Sequence, residues 1–205
     1  MSDEPSTRRI YAWHDDRSVY VYQAFRPSIV QAAVAKGTFG SGFTLDRMTW
    51  IKPSFGWMLH RSGYATRHRQ EAVARVHLSH AGFRAILEQA VPTLYDERLF
   101  ASERDWSTAL DRSDVRYQWD PDRDLHDRKL ARRAIQLGIR GETVRRYVEE
   151  WVLGVEDVTE LALAVGAAVK GRGGTLPDVP EETEYAIEPD LLHVLGYDAP
   201  VSDDA

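Results

Sequence analysis

The order of short strand-like and helix-like segments between residues 9 and 170 limits the fold more than any other feature of the chain. Runs rich in β-branched and aromatic residues predict strands, and runs with proline or serine at the start and glycine at the end predict helices. The predicted strands cover residues 9–13, 18–25, 48–51, 72–78, 115–119 and 133–139, and the predicted helices cover residues 27–36, 53–62, 80–90, 142–151 and 156–170. Because these segments follow no regular strand–helix–strand order, we expect an α+β domain with small mixed or antiparallel sheets and flanking helices.

The composition divides the chain into three parts. We expect residues 1–8 to be a disordered N-terminus, residues 9–170 to form the one domain, and residues 171–205 to be a glycine-rich linker followed by an acidic flexible tail. The stretch from Pro177 to Ala205 holds nine Asp or Glu residues and no Lys or Arg, so the body is mildly basic although the whole chain has a net charge of −6. The tail either aids solubility or competes with a phosphate-bearing partner for the body.

Several large classes of function are excluded by missing residues and motifs. The chain has no cysteine, which rules out disulfides, thiolate catalysis, iron–sulfur clusters and cysteine-bound zinc. The phosphate loop, the dinucleotide-binding glycine motif and the nucleophilic-serine motif are also missing. His77 and His80 come closest to the spacing of metal ligands but have no clear third ligand, so we predict no metal. Without a secretory signal or a long apolar run, the chain is expected to be cytoplasmic, with no membrane contact.

The first candidate site is the segment around the helix predicted over residues 53–62. On that helix Ser54, Trp57, Met58 and Arg61 share one face at positions i, i+3, i+4 and i+7. The free N–H groups at the helix start would bind an anion beside Lys52, the indole would stack on a flat ring, and the guanidinium would take a phosphate. The alternative is that both apolar side chains are core residues and both cations are solvated or paired with carboxylates.

The second candidate site is the sequence Gln118-Trp119-Asp120, with Arg123 close behind. A strand predicted to stop at Trp119 would deliver an amide and a carboxylate to its end, where sites commonly collect. The alternative is that the sequence Asp-Pro-Asp at positions 120–122 serves only as a turn.

A basic strip runs from residue 60 to residue 84. It contains five arginines and four histidines against one acid, Glu71, with Tyr64 interleaved. Such a strip could follow a nucleic-acid backbone, which favours RNA or tRNA as a partner.

Five sequence blocks carry a resemblance to a known family. By these blocks the chain is identified as a member of the domain-of-unknown-function family 4291, over about Arg9 to Val169. The blocks are residues 21–25 (VYQAF), 48–55 (MTWIKPSF), 61–63 (RSG), 118–121 (QWDP) and 135–138 (IQLG).

At the level of the fold, the chain also resembles ADP-ribosyltransferases, which hold NAD in a cleft between two small sheets. The resemblance rests on a strand that runs directly into a glycine-ended helix, followed by an aromatic strand and helix and a strand ending in Gln-x-acid. It implies a split sheet, with NAD as the cofactor. In this chain Gln23, or Arg26 further on, stands where those enzymes carry a His or Arg, and Asp120 is one methylene shorter than their glutamate.

The resemblance assigns roles to particular residues. Asp120 would stabilise the ribosyl cation while Gln118 supports it, Trp50 and Trp57 would sandwich nicotinamide, and Gln23 or Arg26 would hold the adenosine ribose or phosphate. The predicted catalytic residues are Asp120, Gln118 and Lys52, and the predicted cofactor-binding residues are Tyr22, Gln23, Arg26, Trp50, Ser54, Trp57 and Arg61.

The leading functional hypothesis is therefore an ADP-ribosyltransferase-like enzyme that uses NAD with a nucleic acid or a small molecule as acceptor. One alternative is a non-catalytic RNA- or nucleotide-binding module, and another is a protein-interaction domain regulated by its acidic tail. The enzymatic hypothesis requires that the tryptophan-bearing helix and the Gln118–Asp120 strand face one shared hollow.

Overall fold

The computed structural model describes residues 7–171 and 174–197 and has an α+β fold. The strands are β1 (Tyr11–Ala12), β2 (Ser18–Phe25), β3 (Thr49–Ile51), β4 (Ala72–Ser79), β5 (Ala90–Pro92), β6 (Val115–Arg123), β7 (Lys129–Ile139), β8 (Val152–Asp157) and β9 (Thr183–Glu184). The helices are α1 (Pro27–Lys36), α2 (Phe55–Ser62), α3 (His80–Glu88), α4 (Glu103–Arg112), α5 (Gly141–Arg146), α6 (Thr159–Val169) and α7 (Pro189–Val194), with a π-helical turn at Tyr147–Trp151.

Two small sheets meet in the middle of the molecule. One has the strand order β2-β4-β8 and the other the order β3-β7-β6-β5, and all neighbours are antiparallel except β5 and β6. The sheets are joined where Tyr22 of β2 and Lys52, just after β3, exchange two backbone hydrogen bonds of 2.7 and 3.2 Å. This seam fixes the position of Lys52.

Local sequence signals predict both ends of helix α1 and the C-terminal end of helix α2. Helix α1 begins at Pro27 and is closed by Gly37 at φ 80°, as predicted. Helix α2 was predicted to begin at Pro53, but Ser54 is its cap, with a hydroxyl that accepts the N–H of Trp57 at 3.1 Å, and Phe55 is its first residue. It is closed by Gly63 at φ 59°, as predicted. Glycine in the left-handed region at a helix end needs no tertiary context, so the sequence alone predicts both of these ends.

Helix α2 packs unusually close to the second sheet. Its residues from Phe55 to Leu59 are buried, and a Cβ atom added to Gly56 would lie only 2.0 Å from the carbonyl oxygen of Arg123. Glycine is therefore required at this position, because any side chain would push the helix away from the end of β6.

The predicted extents of the strands in the second sheet are too short. Strand β6 does not stop at Trp119 but runs to Arg123 with an irregularity after Pro121, so Asp120 lies inside a strand. Strand β7 begins at Lys129 and not at residue 133. Beyond Tyr117 strand β6 is paired only with β7, and proline is tolerated where a strand has an open side.

Strand β8 was not predicted. It covers residues 152–157, including the start of the helix predicted over residues 156–170, and completes the first sheet.

The expected flexible tail is in large part packed on the body. Strand β9 pairs with β1. Leu191 and Leu195 of the following segment are 2% and 0% exposed in the main core, and the indole of Trp119 donates to the carbonyl oxygen of Leu195 at 2.9 Å. Residues 174–197 are thus part of the folded body, while the predictions for residues 1–6 and 198–205 lie outside the described residues.

Within the two described ranges, no helix has the length and apolar character needed to cross a membrane. In the same ranges no three His, Asp or Glu side chains converge as a metal site. His77 contacts the carboxylate of Glu156, and His80 lies 2.8 Å from the hydroxyl of Tyr185.

Candidate functional site

A cavity of about 490 Å³ lies beside the seam between the two sheets. Its wall comes from the second half of β2, the loop before β3, the second half of α2 and the facing strands β6 and β7. The lining includes the cations Arg47, Lys52, Arg61 and Arg69, the amides Gln23, Gln70, Gln118 and Gln136, and the apolar side chains Phe25, Ile29, Phe43, Met48, Trp50 and Met58. We call this cavity the seam pocket.

Lys52 is a buried cation of the seam pocket with no carboxylate partner. Its residue is 6% exposed, and its ammonium lies 5.5 Å from the centre of the Trp57 ring. Its side chain makes no hydrogen bond or ion pair with any residue in 7–171 or 174–197. Burial and, to a smaller extent, the positive charge of Arg61 lower the pKa of Lys52 from 10.5 to about 7, against the opposing effect of Asp120.

Three arginines add to the positive charge of the pocket. The guanidinium groups of Arg47, Arg61 and Arg69 form no ion pair with a carboxylate of the described segments. The loop that carries Arg69 is held in a strained form, because Tyr64, Ala65 and Arg69 all have φ near 60°. Backbone conformations of this kind persist where the surrounding structure enforces them, and they are found most often at functional sites.

Asp120 lies behind two glutamine side chains of the pocket wall. Gln118 and Gln136 face each other across β6 and β7, and their amide nitrogens donate to the two carboxylate oxygens of Asp120 at 2.8 and 2.6 Å. The side chain of Asp120 is therefore held in place by the same two amides that line the pocket.

Trp50 forms a flat apolar wall of the same pocket. Its ring and the sulfur of Met48 close over Gly138 on the neighbouring strand, where an added Cβ would lie 3.0 Å from the ring and 2.7 Å from the sulfur. Glycine at this position lets both side chains lie flat against the sheet.

The structure brings most of the predicted site together. Of the predicted residues, Gln23, Trp50, Lys52, Arg61 and Gln118 line the seam pocket, and Asp120 lies directly behind Gln118. The side chain of Gln23 is fixed in the pocket wall, because its amide nitrogen donates to Thr49 at 2.7 Å and its amide oxygen accepts from the hydroxyl of Tyr147 at 2.8 Å.

Four predicted cofactor-binding residues are placed elsewhere. Tyr22 is buried against Phe55, Arg26 is exposed at the start of α1, Ser54 caps α2, and Trp57 lies beneath the ammonium of Lys52. None of the four lines the seam pocket. The structure therefore offers one indole face, that of Trp50, where two were expected.

Several residues that line the pocket were not predicted from the sequence. Gln136 lies in a block that resembles the family, yet only strand pairing shows that it shares Asp120 with Gln118. Arg47 and Phe43 lie in the loop before β3, where no local pattern indicates which side chains turn inward. A basic residue before an aromatic strand was the only available signal for Arg47.

The basic strip of residues 60–84 does not form one continuous cationic surface. Arg75 pairs with Glu156, and Arg84 pairs with Glu188 and Asp190 of the C-terminal segment at 2.5 and 3.1 Å. Arg61 and Arg69 instead line the seam pocket. The strip is therefore divided between ion pairs and the wall of the pocket.

A separate cluster of acids lies at the start of α2. The carboxylate of Glu182 accepts the N–H of Phe55 at 2.5 Å, and Asp122 accepts the hydroxyl of Ser54 and the guanidinium of Arg132, both at 2.7 Å. Burial raises the pKa of Glu182 from 4.5 to about 8. This cluster ties the C-terminal segment to the helix whose last turn carries Arg61.

A comparison with models of protein families finds a match over most of the chain. The family model described as "Domain of unknown function (DUF4291)" matches residues 9–185. The chain belongs to the DUF4291 family. The match extends past residue 170 through β9, in agreement with the packed C-terminal segment. No curated protein matches the chain, and the DUF4291 match adds no support for the resemblance to ADP-ribosyltransferases, which stays a prediction.

Proposed function

We propose that the protein is an ADP-ribosyltransferase-like enzyme that uses NAD with a nucleic acid or a small molecule as acceptor. The observation that supports this proposal is the meeting of Lys52, Arg61 and Gln118 around one pocket, with Asp120 hydrogen-bonded to Gln118 and acting on the charge of Lys52. These residues come from three separate elements, and each has the chemistry that a different part of NAD requires.

The arginines suit the diphosphate of NAD. Guanidinium groups bind phosphate through paired hydrogen bonds, and Arg47, Arg61 and Arg69 have no carboxylate of the described chain to occupy them. The flat face of Trp50 suits an aromatic ring such as nicotinamide or adenine.

The reaction assigns distinct roles to Asp120 and Lys52. As the bond between ribose and nicotinamide breaks, positive charge develops on the ribose, and the carboxylate held by Gln118 stabilises that charge. The acceptor hydroxyl then bonds to the ribose carbon and loses its proton to the Lys52 amine. An amine with a pKa of about 7 suits this step, because proton transfer is most efficient when the pKa lies near the working pH.

Calorimetry with NAD and a nicotinamide-release assay test the proposal. We expect NAD to bind to the wild type at millimolar concentration or better. Asp120→Asn should retain most of this binding and lower nicotinamide release by about 10²-fold or more, whereas the exposed control Asp16→Asn should change neither. Absence of binding by NAD at millimolar concentration would overturn the proposal.

The second candidate function is a non-catalytic RNA- or nucleotide-binding module. It is favoured by the two amide donors that already occupy the oxygens of Asp120. This module would bind nucleotide or RNA in a salt-dependent manner without releasing nicotinamide. Arg69→Ala should weaken that binding, while Arg112→Ala on the exposed face of α4 should not, and binding that is insensitive to salt would exclude this function.

A further inference from the structure

We propose a second activity of the seam pocket, in which the Lys52 amine reacts with the carbonyl group of a small phosphorylated aldehyde or ketone to form an imine. This inference rests on the proposed function only in taking the pocket as a ligand site, and it does not require NAD to be the ligand.

The first support is the position of the amine. Lys52 lines the pocket, yet its residue is only 6% exposed, and its backbone is fixed by both hydrogen bonds to Tyr22. No described side chain forms a hydrogen bond or an ion pair with its nitrogen. A buried polar group is normally satisfied by a partner, so a lysine that has only the Trp57 ring below it is available to a ligand.

The second support is the charge around the amine. The charged groups that act on Lys52 are Arg61 from α2, which disfavours the ammonium, and Asp120 from β6, which favours it. Arg47 and Arg69 add positive charge to the same pocket. With burial as the largest cause, the pKa of about 7 leaves much of the amine neutral at neutral pH, and only the neutral amine attacks a carbonyl.

The third support indicates a phosphorylated ligand. The arginines of the pocket have no described carboxylate partner, and the pocket's amide and apolar side chains cannot neutralise them. A phosphate would satisfy these arginines while a carbonyl elsewhere in the same molecule reaches Lys52. The 490 Å³ cavity accommodates a molecule of this size.

The reaction is balanced without an oxidant or a reductant. The nitrogen lone pair attacks the carbonyl carbon, the carbonyl oxygen takes a proton, and the resulting carbinolamine loses water to give the C=N bond. Lys52 contributes two hydrogens and the ligand contributes its oxygen to that water. The imine nitrogen is then protonated from solvent, and the adduct is released by the reverse addition of water.

The chain contains only four lysines, which makes the test direct. Glyceraldehyde 3-phosphate is incubated with the full chain at pH 7, sodium cyanoborohydride reduces any imine to a stable amine, and peptide mass spectrometry locates the adduct. Lys36, Lys129 and Lys170 serve as internal controls. The neutral fraction of an amine with a pKa of about 7 is roughly a thousandfold larger than that of an ordinary lysine, so Lys52 should react at least about tenfold faster than the controls.

Matched probes and variants separate the possible outcomes. Unphosphorylated glyceraldehyde should label Lys52 at least about tenfold less than the phosphate ester, and Arg61→Gln should reduce that preference while Arg112→Gln leaves it unchanged. Lys52→Arg should abolish the adduct without shifting it to the controls. Labelling of Lys52 no faster than of the exposed lysines, or equal labelling by both aldehydes, would overturn the inference. NAD binding without an adduct refutes only this inference, and an adduct without NAD binding refutes only the proposed function.

Discussion

Lys52, which is buried, and Glu182, which is half-buried, are two ionisable residues beside the same helix, and they differ in how their surroundings satisfy them. Glu182 receives the backbone N–H of Phe55 and lies 3.7 Å from Arg132. Lys52 has the indole of Trp57 and no hydrogen-bond acceptor among the residues in the described segments. Burial shifts both pKa values toward the neutral form. The satisfied group joins two parts of the fold, whereas the unsatisfied group lines a cavity, where it is available to a ligand.

The largest expected effect is that of Lys52→Met on stability. Methionine fills a similar volume without a buried charge, so the variant should be more stable at pH 7 by about 1 to 4 kcal/mol. The pKa of Lys52 is lowered from 10.5 to about 7, so between these values the unfolded chain binds a proton that the folded chain lacks. The contribution of Lys52 to the stability of the wild type should therefore rise with pH across this window. Because the ionisation of Glu182 affects both proteins alike, urea unfolding from pH 6 to pH 9 measures the difference between them, and the advantage of Lys52→Met should shrink as the pH rises.

A lysine whose ammonium has a partner within the fold would behave differently. If Lys52→Met were less stable than the wild type and kept the same dependence on pH, the ammonium would have a partner within the fold. The comparison with Glu182 would then fail, because both groups would be satisfied.

Glu182→Gln should have a smaller effect that depends on pH in the opposite way. Glutamine can still accept the N–H of Phe55 but carries no charge. The pKa of Glu182 is raised from 4.5 to about 8, so its favourable contribution is complete below pH 4.5 and is lost as the pH rises through about 8. The variant should therefore gain about 1 to 3 kcal/mol over the wild type at pH 8 and little at pH 5. Urea unfolding at both pH values measures the difference, with the exposed neighbour Glu181→Gln as the control.

Equal effects of Glu182→Gln and Glu181→Gln would show that the acid at the start of α2 is freely solvated. A gain at pH 5 that disappears at pH 8 would reverse the sign and point to an ionised, paired carboxylate.

The sequence predicted those features that depend on neighbours along the chain. Gly37 and Gly63 end their helices for a local reason, the left-handed backbone that glycine adopts easily. Lys52 and Arg61 were predicted as one anion site because they lie just before and within a single short helix. The sequence could not show that Gln136 faces Gln118 or that β9 pairs with β1, because each pairing joins residues far apart in the chain.

Trp57 was predicted on the ligand-binding face of the helix but does not line the pocket, and this difference has a more specific cause. Helical spacing puts Trp57 and Met58 next to each other but about 100° apart around the helix axis. Helix α2 is buried along most of its length, so hydrophobicity does not distinguish the side that faces the pocket from the side that faces the core. The C-terminal segment was predicted to be flexible because its composition is acidic. That prediction gave no weight to Leu191 and Leu195, which lie one helical turn apart and are buried.

The smallest expected effect tests the contact between the Lys52 ammonium and the Trp57 ring. In Trp57→Phe a benzene ring replaces the indole beneath the ammonium and weakens the cation–π attraction, by about 0.5 kcal/mol. Because that attraction favours the charged amine, its loss should lower the pKa of Lys52 below about 7 by a fraction of a unit. Nuclear magnetic resonance titration of carbon-13-labelled lysine follows this directly, with Lys52→Met assigning the signal among the four lysines. Trp13→Phe, which alters the ring under Arg75 instead, should leave the titration unchanged, and an unchanged or raised pKa in Trp57→Phe would show that the indole only excludes water from the amine.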